Sequence, residues 1–172
     1  MINTNAWNRI RYTIYQPIYD LAGRYFTRHR RTSIEALKLS PDDNILIVGA
    51  GISGIMAAKT AAKNGLKTLL VDEKPNLGGS TIYQNSDHFK INNQNSGSWL
   101  EKEINEIKKL NNLEIKTRTS VAAYHGYNFL LARENLTDHL PINQRKDKTR
   151  HKLLKIRAKK VISATGSIER PM

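Results

Sequence analysis

The fold is decided by the stretch NILIVGAGISGIMAAKTAAKNGLKTLLVDEK, which runs from Asn44 to Lys74. Its apolar run Ile45–Val48 is typical of a strand that is buried on both faces of a parallel sheet. Small residues then predict a helix that packs close to the sheet, and Gly65 ends this helix. The segment KTLLVDE then predicts a second buried strand, which ends in Asp72 and Glu73. The stretch therefore predicts a strand–helix–strand unit of the length that a parallel crossover needs.

Three glycines of this stretch, Gly49, Gly51 and Gly54, follow the spacing G-x-G-x-x-G. The first permits a tight turn, the second lets a pyrophosphate approach the backbone, and the third lets the helix lie close to the strand. The N-terminus of the following helix offers free N–H groups and about half a positive charge. Ser53 adds a hydroxyl contact. Between a strand and a helix, this pattern predicts a dinucleotide cradle.

Two acids, Asp72 and Glu73, end the second apolar run. An acid at this place accepts hydrogen bonds from the ribose hydroxyls of an adenosine half. We favour Glu73, because its distance to the glycine pair Gly78–Gly79 fits the flavoprotein pattern better, and Asp72 is the close alternative. An acid also disfavours a 2′-phosphate, so the predicted cofactor is NAD rather than NADP. FAD is the alternative, since the acid suits NAD and FAD equally.

The rest of the chain predicts further elements around this unit. Polar residues 75–98 predict a loop, and Ser98 is predicted to cap a helix over WLEKEINEIKKL. The segment NNLEIKT predicts a third strand, and VAAYHGYNFLLARE and HKLLKIRA predict antiparallel strands joined by a basic loop. KKVISATG predicts a last apolar strand, and Thr165 and Gly166 at its end are expected on the adenosine side of the same site.

The predicted fold is an α/β, Rossmann-like FAD/NAD(P)-binding domain that consists of a βαβ unit plus a β-meander. We assign this domain to residues 41–172 and expect it to be incomplete at its C-terminus. Residues 1–40 predict a helical leader, because apolar residues recur there at three- and four-residue steps. The predicted cofactor-binding residues are Gly49, Ala50, Gly51, Ser53, Gly54, Asp72, Glu73, Gly78, Gly79, Thr165 and Gly166. No catalytic residue is predicted.

Composition excludes several kinds of function. The 172-residue chain has no cysteine, which excludes disulfides, thiolate metal sites and C-x-x-C redox chemistry, and its five histidines show no metal-ligand spacing. It has no apolar run of about 20 residues that would span a membrane. Its N-terminus lacks the apolar core of a signal peptide, so we expect a cytoplasmic protein.

The charge of the chain is strongly basic. The formal net charge is +13, and the excess lies in two clusters, Arg24–Arg31 and Arg145–Lys160. No nucleic-acid recognition motif accompanies these clusters, which argues against a nucleic-acid function. They are interpreted as solvated surface or as a surface for an acidic partner subunit.

Residues 44–172 resemble the alpha-subunit family of heterotetrameric sarcosine oxidase. The resemblance lies in VGAGISG, LLVDEKPNLGGS, RTSVAAYHGYNFLLARENLTDHLP and KIRAKKVISATGSIERP. It implies an NAD-binding module of a larger flavoenzyme that oxidises sarcosine or a related N-methyl amino acid, with flavins held largely by a beta-type subunit and at its interface with alpha. The residues that carry over as dinucleotide contacts are Gly49, Gly51, Gly54, Glu73, Thr165 and Gly166. The family continues for hundreds of residues past the place of Met172, so we expect an N-terminal piece.

Residues 1–48 resemble the leader of a class I S-adenosylmethionine-dependent methyltransferase, in which an aromatic helix precedes a strand that ends in a glycine motif. This resemblance stops near Gly51, because Gly54 supplies the third glycine of a dinucleotide cradle where G-x-G-x-G would be more usual. We hypothesise that a methyltransferase-like leader is joined to an oxidoreductase-like body. The alternative functions are a methyltransferase-like protein and a non-catalytic assembly module.

Overall fold

The computed structural model describes residues 39–40, 42–83, 90–91 and 93–166. All but the last two residues of the predicted helical leader lie outside this part of the chain. The helices are α1 (Ile52–Lys63), α2 (Ser96–Ile107) and the single turn α3 (Ile142–Arg145). The strands are β1 (Asn44–Val48), β2 (Lys67–Val71), β3 (Lys90–Ile91), β4 (Gln94–Asn95), β5 (Leu113–Lys116), β6 (Thr119–His125), β7 (Phe129–Asn135), β8 (His151–Arg157) and β9 (Lys160–Ser163).

A parallel four-stranded sheet in the order β5-β2-β1-β9 forms the centre of the fold. The helix α1 connects β1 to β2, which confirms the predicted strand–helix–strand unit. Because β1 is flanked by β2 and β9, the turn that follows Val48 lies between the carboxyl ends of two neighbouring strands. In open α/β sheets, ligands bind in the crevice outside these carboxyl ends.

Alternate residues of β1 pack into two different hydrophobic layers. Ile45 and Ile47 lie on the face that packs against α1 and α2. Leu46 and Val48 lie on the opposite face, where Leu130 of β7 covers them. A strand that is buried on both faces in this way must be apolar at every position, which explains the continuous run in the sequence.

The second layer is an antiparallel meander in the order β6-β7-β8. The segment VAAYHGYNFLLARE contributes two strands rather than one, because the chain reverses at Tyr127 and Asn128. Both residues have positive φ, at 58° and 51°, and with Gly126 they form the three-residue loop between the paired residues His125 and Phe129. The predicted antiparallel strands and basic loop are therefore confirmed. The structure adds the position of the hairpin turn between β6 and β7.

The predicted cap of α2 is wrong by three residues. The helix begins at Ser96, and Oδ1 of Asn95 accepts hydrogen bonds from the backbone N–H groups of Gly97 and Ser98 at 3.0 and 3.3 Å. An Asn side chain satisfies the second and third N–H groups of a helix as well as a Ser does, so the polar run INNQNSGS offered several possible caps. The predicted loop over residues 75–98 contains a short 3₁₀ helix, Gly79–Tyr83, and the β3–β4 pair.

Within the part of the chain that the structure describes, no helix combines the length and the apolar character that crossing a membrane would require.

Candidate cofactor-binding site

A cleft of about 1000 Å³ opens at the carboxyl ends of β1, β2 and β9. Most of the predicted site residues line it, although they come from distant parts of the chain. Its walls are formed by residues 48–49, 51–53, 71–74, 79–81, 119–121 and 162–166. Three predicted residues, Ala50, Gly54 and Gly78, are instead buried behind the wall.

Two glycines of the turn after β1 have no room for a side chain. Gly49 has a φ of +100°, and a Cβ atom there would lie 2.4 Å from the carbonyl oxygen of Ala164 at the end of β9. A Cβ atom at Gly54 would lie 1.8 Å from the carbonyl oxygen of Gly49. These glycines therefore allow the turn, the start of α1 and the end of β9 to pack at backbone contact.

Gly51 is different, because a Cβ atom there would meet nothing within 4 Å. This residue is the N-cap of α1; no side chain caps the helix, and its first turn contains no acid. The N–H groups at the start of α1 therefore lack a side-chain acceptor, and the positive end of the helix dipole lies at the cleft. Such an end fits a pyrophosphate, and the empty space beside Gly51 lets that group approach the backbone.

The glycine pair predicted from the sequence lies against this turn. The backbone N–H of Gly78 donates to the carbonyl of Ala50 at 2.7 Å, and Gly51 and Gly78 form an isolated parallel bridge. Gly79 has a φ of +59°, and a Cβ atom on it would lie 2.9 Å from Cα of Gly51. The pair therefore packs against the glycine turn, and Gly79 lines the cleft.

The two acids after β2 have different surroundings. The carboxylate of Asp72 accepts hydrogen bonds from the backbone N–H of Ala50 at 2.5 Å and of Lys74 at 2.7 Å, so it lies against the glycine turn. Glu73, which the sequence analysis favoured for the ribose, is exposed at the rim of the same cleft. Both acids remain within the site, and Asp72 is the one in contact with the cradle.

The start of β6 is a part of the cleft that the sequence analysis missed. Residues 119–121 line the cleft because the backbone N–H of Thr119 donates to the carbonyl of Asp72 at 2.8 Å. This contact joins residues that lie 47 positions apart in the sequence, and no local motif predicts it. Thr165 and Gly166, which were predicted, line the other side at the end of β9.

Known protein families and structures offer an independent comparison. The sequence model of the family described as FAD dependent oxidoreductase matches residues 44–167. The chain is 31% identical over 129 residues to sarcosine oxidase subunit alpha from Corynebacterium sp. (strain P-1), and 32% identical over 129 residues to the subunit from strain U-96. Each match covers 75% of this chain but only 13% of the relative, so the chain spans a small part of those subunits.

Among solved structures, L-proline dehydrogenase from P. horikoshii matches with a TM-score of 0.57 and 27% sequence identity. This match covers 76% of the chain and 24% of that protein. The predicted resemblance to sarcosine oxidase alpha subunits and the predicted Rossmann-like fold are confirmed. The matched family uses a flavin, which favours FAD, the alternative cofactor of the sequence analysis, and gives no support to NAD as the first choice.

Proposed function

The chain belongs to the family of FAD-dependent oxidoreductases, and from this premise we propose that its cleft binds the ADP half of FAD within a larger amino-acid-oxidising enzyme. The observation that carries the proposal is the start of α1. Its N–H groups have no side-chain acceptor and no acidic neighbour in the first turn, and Gly51 leaves the approach to them open. A doubly charged pyrophosphate satisfies these groups.

Each wall of the cleft has a role in this proposal. The turn from Gly49 to Gly54 holds the pyrophosphate, and Asp72, already oriented by two backbone N–H groups, accepts hydrogen bonds from the ribose. Glu73 at the rim is the alternative for the ribose. The adenine lies between residues 119–121 and residues 165–166.

FAD, when bound, supplies the redox chemistry, and the protein supplies binding, orientation and electrostatics. This chain neutralises the phosphate charges with backbone dipoles and fixes the ribose with a carboxylate, so that the cofactor is held at one end. We assign no acid, base or nucleophile to any residue that the structure describes, in ranges 39–40, 42–83, 90–91 and 93–166. We therefore propose that this chain contributes to catalysis by holding FAD in position.

The substrate class follows from the named relatives. Sarcosine and L-proline, on which two of these relatives act, are both amino acids with a secondary amine. We propose that the complete enzyme oxidises an amino acid of this class. A beta-type flavin subunit is the proposed partner, since the sarcosine oxidase relatives are named as alpha subunits.

Of the alternative functions, the assembly module is compatible with this proposal, and none of the matches reported above involves a methyltransferase. The cytoplasmic location predicted from the sequence stays a prediction.

The test is a calorimetric titration of the chain with FAD, NAD and S-adenosylmethionine in parallel. We expect FAD to bind, and Gly51→Asp to weaken it by at least about tenfold, because the new carboxylate fills the cradle and repels the pyrophosphate. Gly126→Asp is the matched control. A Cβ atom at this exposed glycine also meets nothing within 4 Å, and Gly126 lies in the hairpin between β6 and β7. Preferential binding of NAD or S-adenosylmethionine, or unchanged FAD affinity in a folded Gly51→Asp variant, would overturn the assignment.

A further inference from the structure

The meander has an outer face that points away from the central sheet. Leu130 and Ala132 of β7 are fully buried, and Leu130 packs against the strands of the central sheet. Because side chains alternate along a strand, Phe129, Leu131 and Arg133 project to the other side. These residues, together with their cross-strand neighbours on β8, form what we call the outer meander face.

Apolar and basic residues alternate across this face. The register of β7 and β8 pairs Phe129 with Arg157, Leu131 with Lys155, and Arg133 with Leu153. Each apolar side chain therefore has a cation directly opposite. The guanidinium carbon of Arg157 lies 5.3 Å from the centre of the Phe129 ring, and Leu153 is 63% exposed.

The positive charge of this region is not balanced locally. Between Thr119 and Lys159 the sequence has nine Lys and Arg residues against three Asp and Glu residues. Two of these three acids are already engaged, Glu134 by Lys116 and Asp138 by Arg150 and His151.

The basic residues of the face itself have no carboxylate beside them. Among the described residues, no ion pair involves Arg133, Lys155 or Arg157. Their charges are therefore presented to the solvent and favour an acidic surface.

The hairpin tip at the end of this face presents an exposed aromatic residue. Tyr127 is 92% exposed, and its φ of 58° lies in the left-handed region that bulky residues rarely adopt. The turn is nevertheless fixed, because Asn128 accepts a hydrogen bond from the Tyr124 hydroxyl at 2.5 Å and donates to the carbonyl of Lys159 at 2.8 Å. Tyr and Arg are the residue types that carry most binding energy in protein interfaces.

We propose that the outer meander face docks a partner protein that places carboxylates opposite Arg133, Lys155 and Arg157 and receives Tyr127 in an apolar pocket. The aliphatic Leu131 and Leu153 at the centre of the face favour a protein over a nucleic acid, because aliphatic side chains do not stack with bases. The inference rests on the proposed function in one respect, that the partner is another subunit of the oxidase.

The first part of the test finds the partner. The full chain is tagged and expressed in the cells it comes from, with the photo-crosslinking residue p-benzoylphenylalanine in place of Leu153. The control carries it in place of Lys102, which is exposed on α2. We expect one protein, identified by mass spectrometry, to crosslink from position 153 and not from position 102. Equal crosslinking from both positions, a nuclease-sensitive adduct or no protein adduct would overturn the proposal.

The second part measures binding of the identified and purified protein to the chain by calorimetry. The double variant Arg133→Glu/Lys155→Glu is expected to lower the affinity at least about tenfold, and the effect should shrink at high salt. The control Lys102→Glu/Lys109→Glu makes the same charge change at two exposed lysines, one on α2 and one in the turn that follows it, and should leave the affinity within about twofold of wild type. Equal losses in both double variants would mean that only net charge matters, which contradicts a docking face.

Titration of the same preparations with FAD separates the two proposals. The variants of the outer meander face should bind FAD as wild type does, which also shows that they are folded. If the wild type fails to bind FAD, the proposed function is wrong. The crosslinking and affinity results still test whether the outer meander face binds a partner protein.

Discussion

A methyl group added at Gly54 would lie 1.8 Å from the carbonyl oxygen of Gly49, whereas one added at Gly51 would touch nothing. Gly54→Ala should therefore destabilise the fold by about 3 kcal/mol, because the start of α1 must move off β1. Gly51→Ala should leave the free energy of unfolding nearly unchanged. Urea denaturation of the two variants measures the difference, and similar midpoints would contradict the close packing described at this turn.

Substitutions of Asp72 and of Glu73 should differ in their effect on the stability of the fold. Asp72→Asn replaces a carboxylate that accepts two backbone N–H groups, so we expect a loss of about 1.5–3 kcal/mol of stability together with weaker FAD binding. Glu73→Gln, at the exposed rim, should leave the thermal midpoint unchanged. If Glu73→Gln alone lowers the FAD affinity, the ribose role belongs to Glu73, as the sequence analysis favoured.

The glycines were predictable from the sequence, because their spacing after an apolar run is a local signal. The surroundings of the two acids were not. The register pairs Val48 with Val71, so the next residues, Gly49 and Asp72, come side by side at the strand ends. Adjacent residues of an extended segment project to opposite sides, and only the pairing of β1 with β2 decides which acid lies against the glycine turn.

At the scale of elements, α1 and α2 are joined by an ion pair that is almost buried. Nζ of Lys59 lies 2.5 Å from the Glu103 carboxylate, and their side chains are only 13% and 8% exposed. The hydrogen bond that Lys59 donates to Glu103 raises the pKa of Lys59 above its ordinary value of 10.5. Lys59→Met should cost about 3 kcal/mol, because it leaves a buried carboxylate without its partner.

The control for this ion pair is Lys63→Met, the same substitution one turn further along α1. Lys63 lies 3.3 Å from Glu106 and is half-exposed, so its loss should barely change the thermal midpoint. The double variant Lys59→Met/Glu103→Leu should recover most of the stability lost in Lys59→Met. A double variant as unstable as the single one would show that packing, and not the orphaned charge, explains the loss.

The loop between β7 and β8 is held by Asp138, which accepts hydrogen bonds from Arg150 and His151 at 2.5 Å. These partners, Arg150 first, lower the pKa of Asp138 from 3.8 to about 2. Because the folded-state pKa is lowered, the stabilisation is complete well above pH 3.8 and is lost as the pH falls from 3.8 to about 2. The difference in thermal midpoint between wild type and Asp138→Asn should therefore shrink across this range.

At neutral pH the same variant should open the loop. Trypsin should cut Asp138→Asn several-fold faster than wild type within residues 145–150, since cleavage follows the population of the open loop. Asp147→Asn is the matched control, because Asp147 lies in the same loop and no ion pair of the described residues involves it. Equal cleavage of the two variants would rule out Asp138 as the residue that holds the loop.

Elements were predicted well where the signal was periodic and less well at their ends. The strands of the central sheet followed from apolar runs, and α2 followed from its apolar stripe. Its start did not, since Asn95 and Ser98 are both good caps and only the tertiary contacts of the helix choose between them. The β-meander was predicted, but the bounds of β6 and β7 were not, because the turn between them has two residues of positive φ, Tyr127 and Asn128, where glycine would be the usual signal.

At the scale of the whole molecule, the cleft is assembled from segments that are distant in the sequence. The glycine turn after β1, the start of β6 and the end of β9 meet only because the meander is inserted between β5 and β9 and covers one face of the sheet. Local motifs predicted the first and the last of these segments. The middle one depends on a backbone contact between Thr119 and Asp72, which no local pattern encodes.

This assembly makes a prediction about hydrogen exchange. If FAD spans the cleft, it should slow amide exchange together at residues 49–54, 119–121 and 164–166, because one ligand contacts all three segments. Residues 153–155 on the outer meander face should exchange as in the free chain. At a free FAD concentration of 100 times Kd, binding stabilises the fold by about 2.7 kcal/mol, so the thermal midpoint should rise as well. Protection confined to residues 49–54 would mean that only the pyrophosphate is held, and that the start of β6 and the end of β9 do not contact the adenosine.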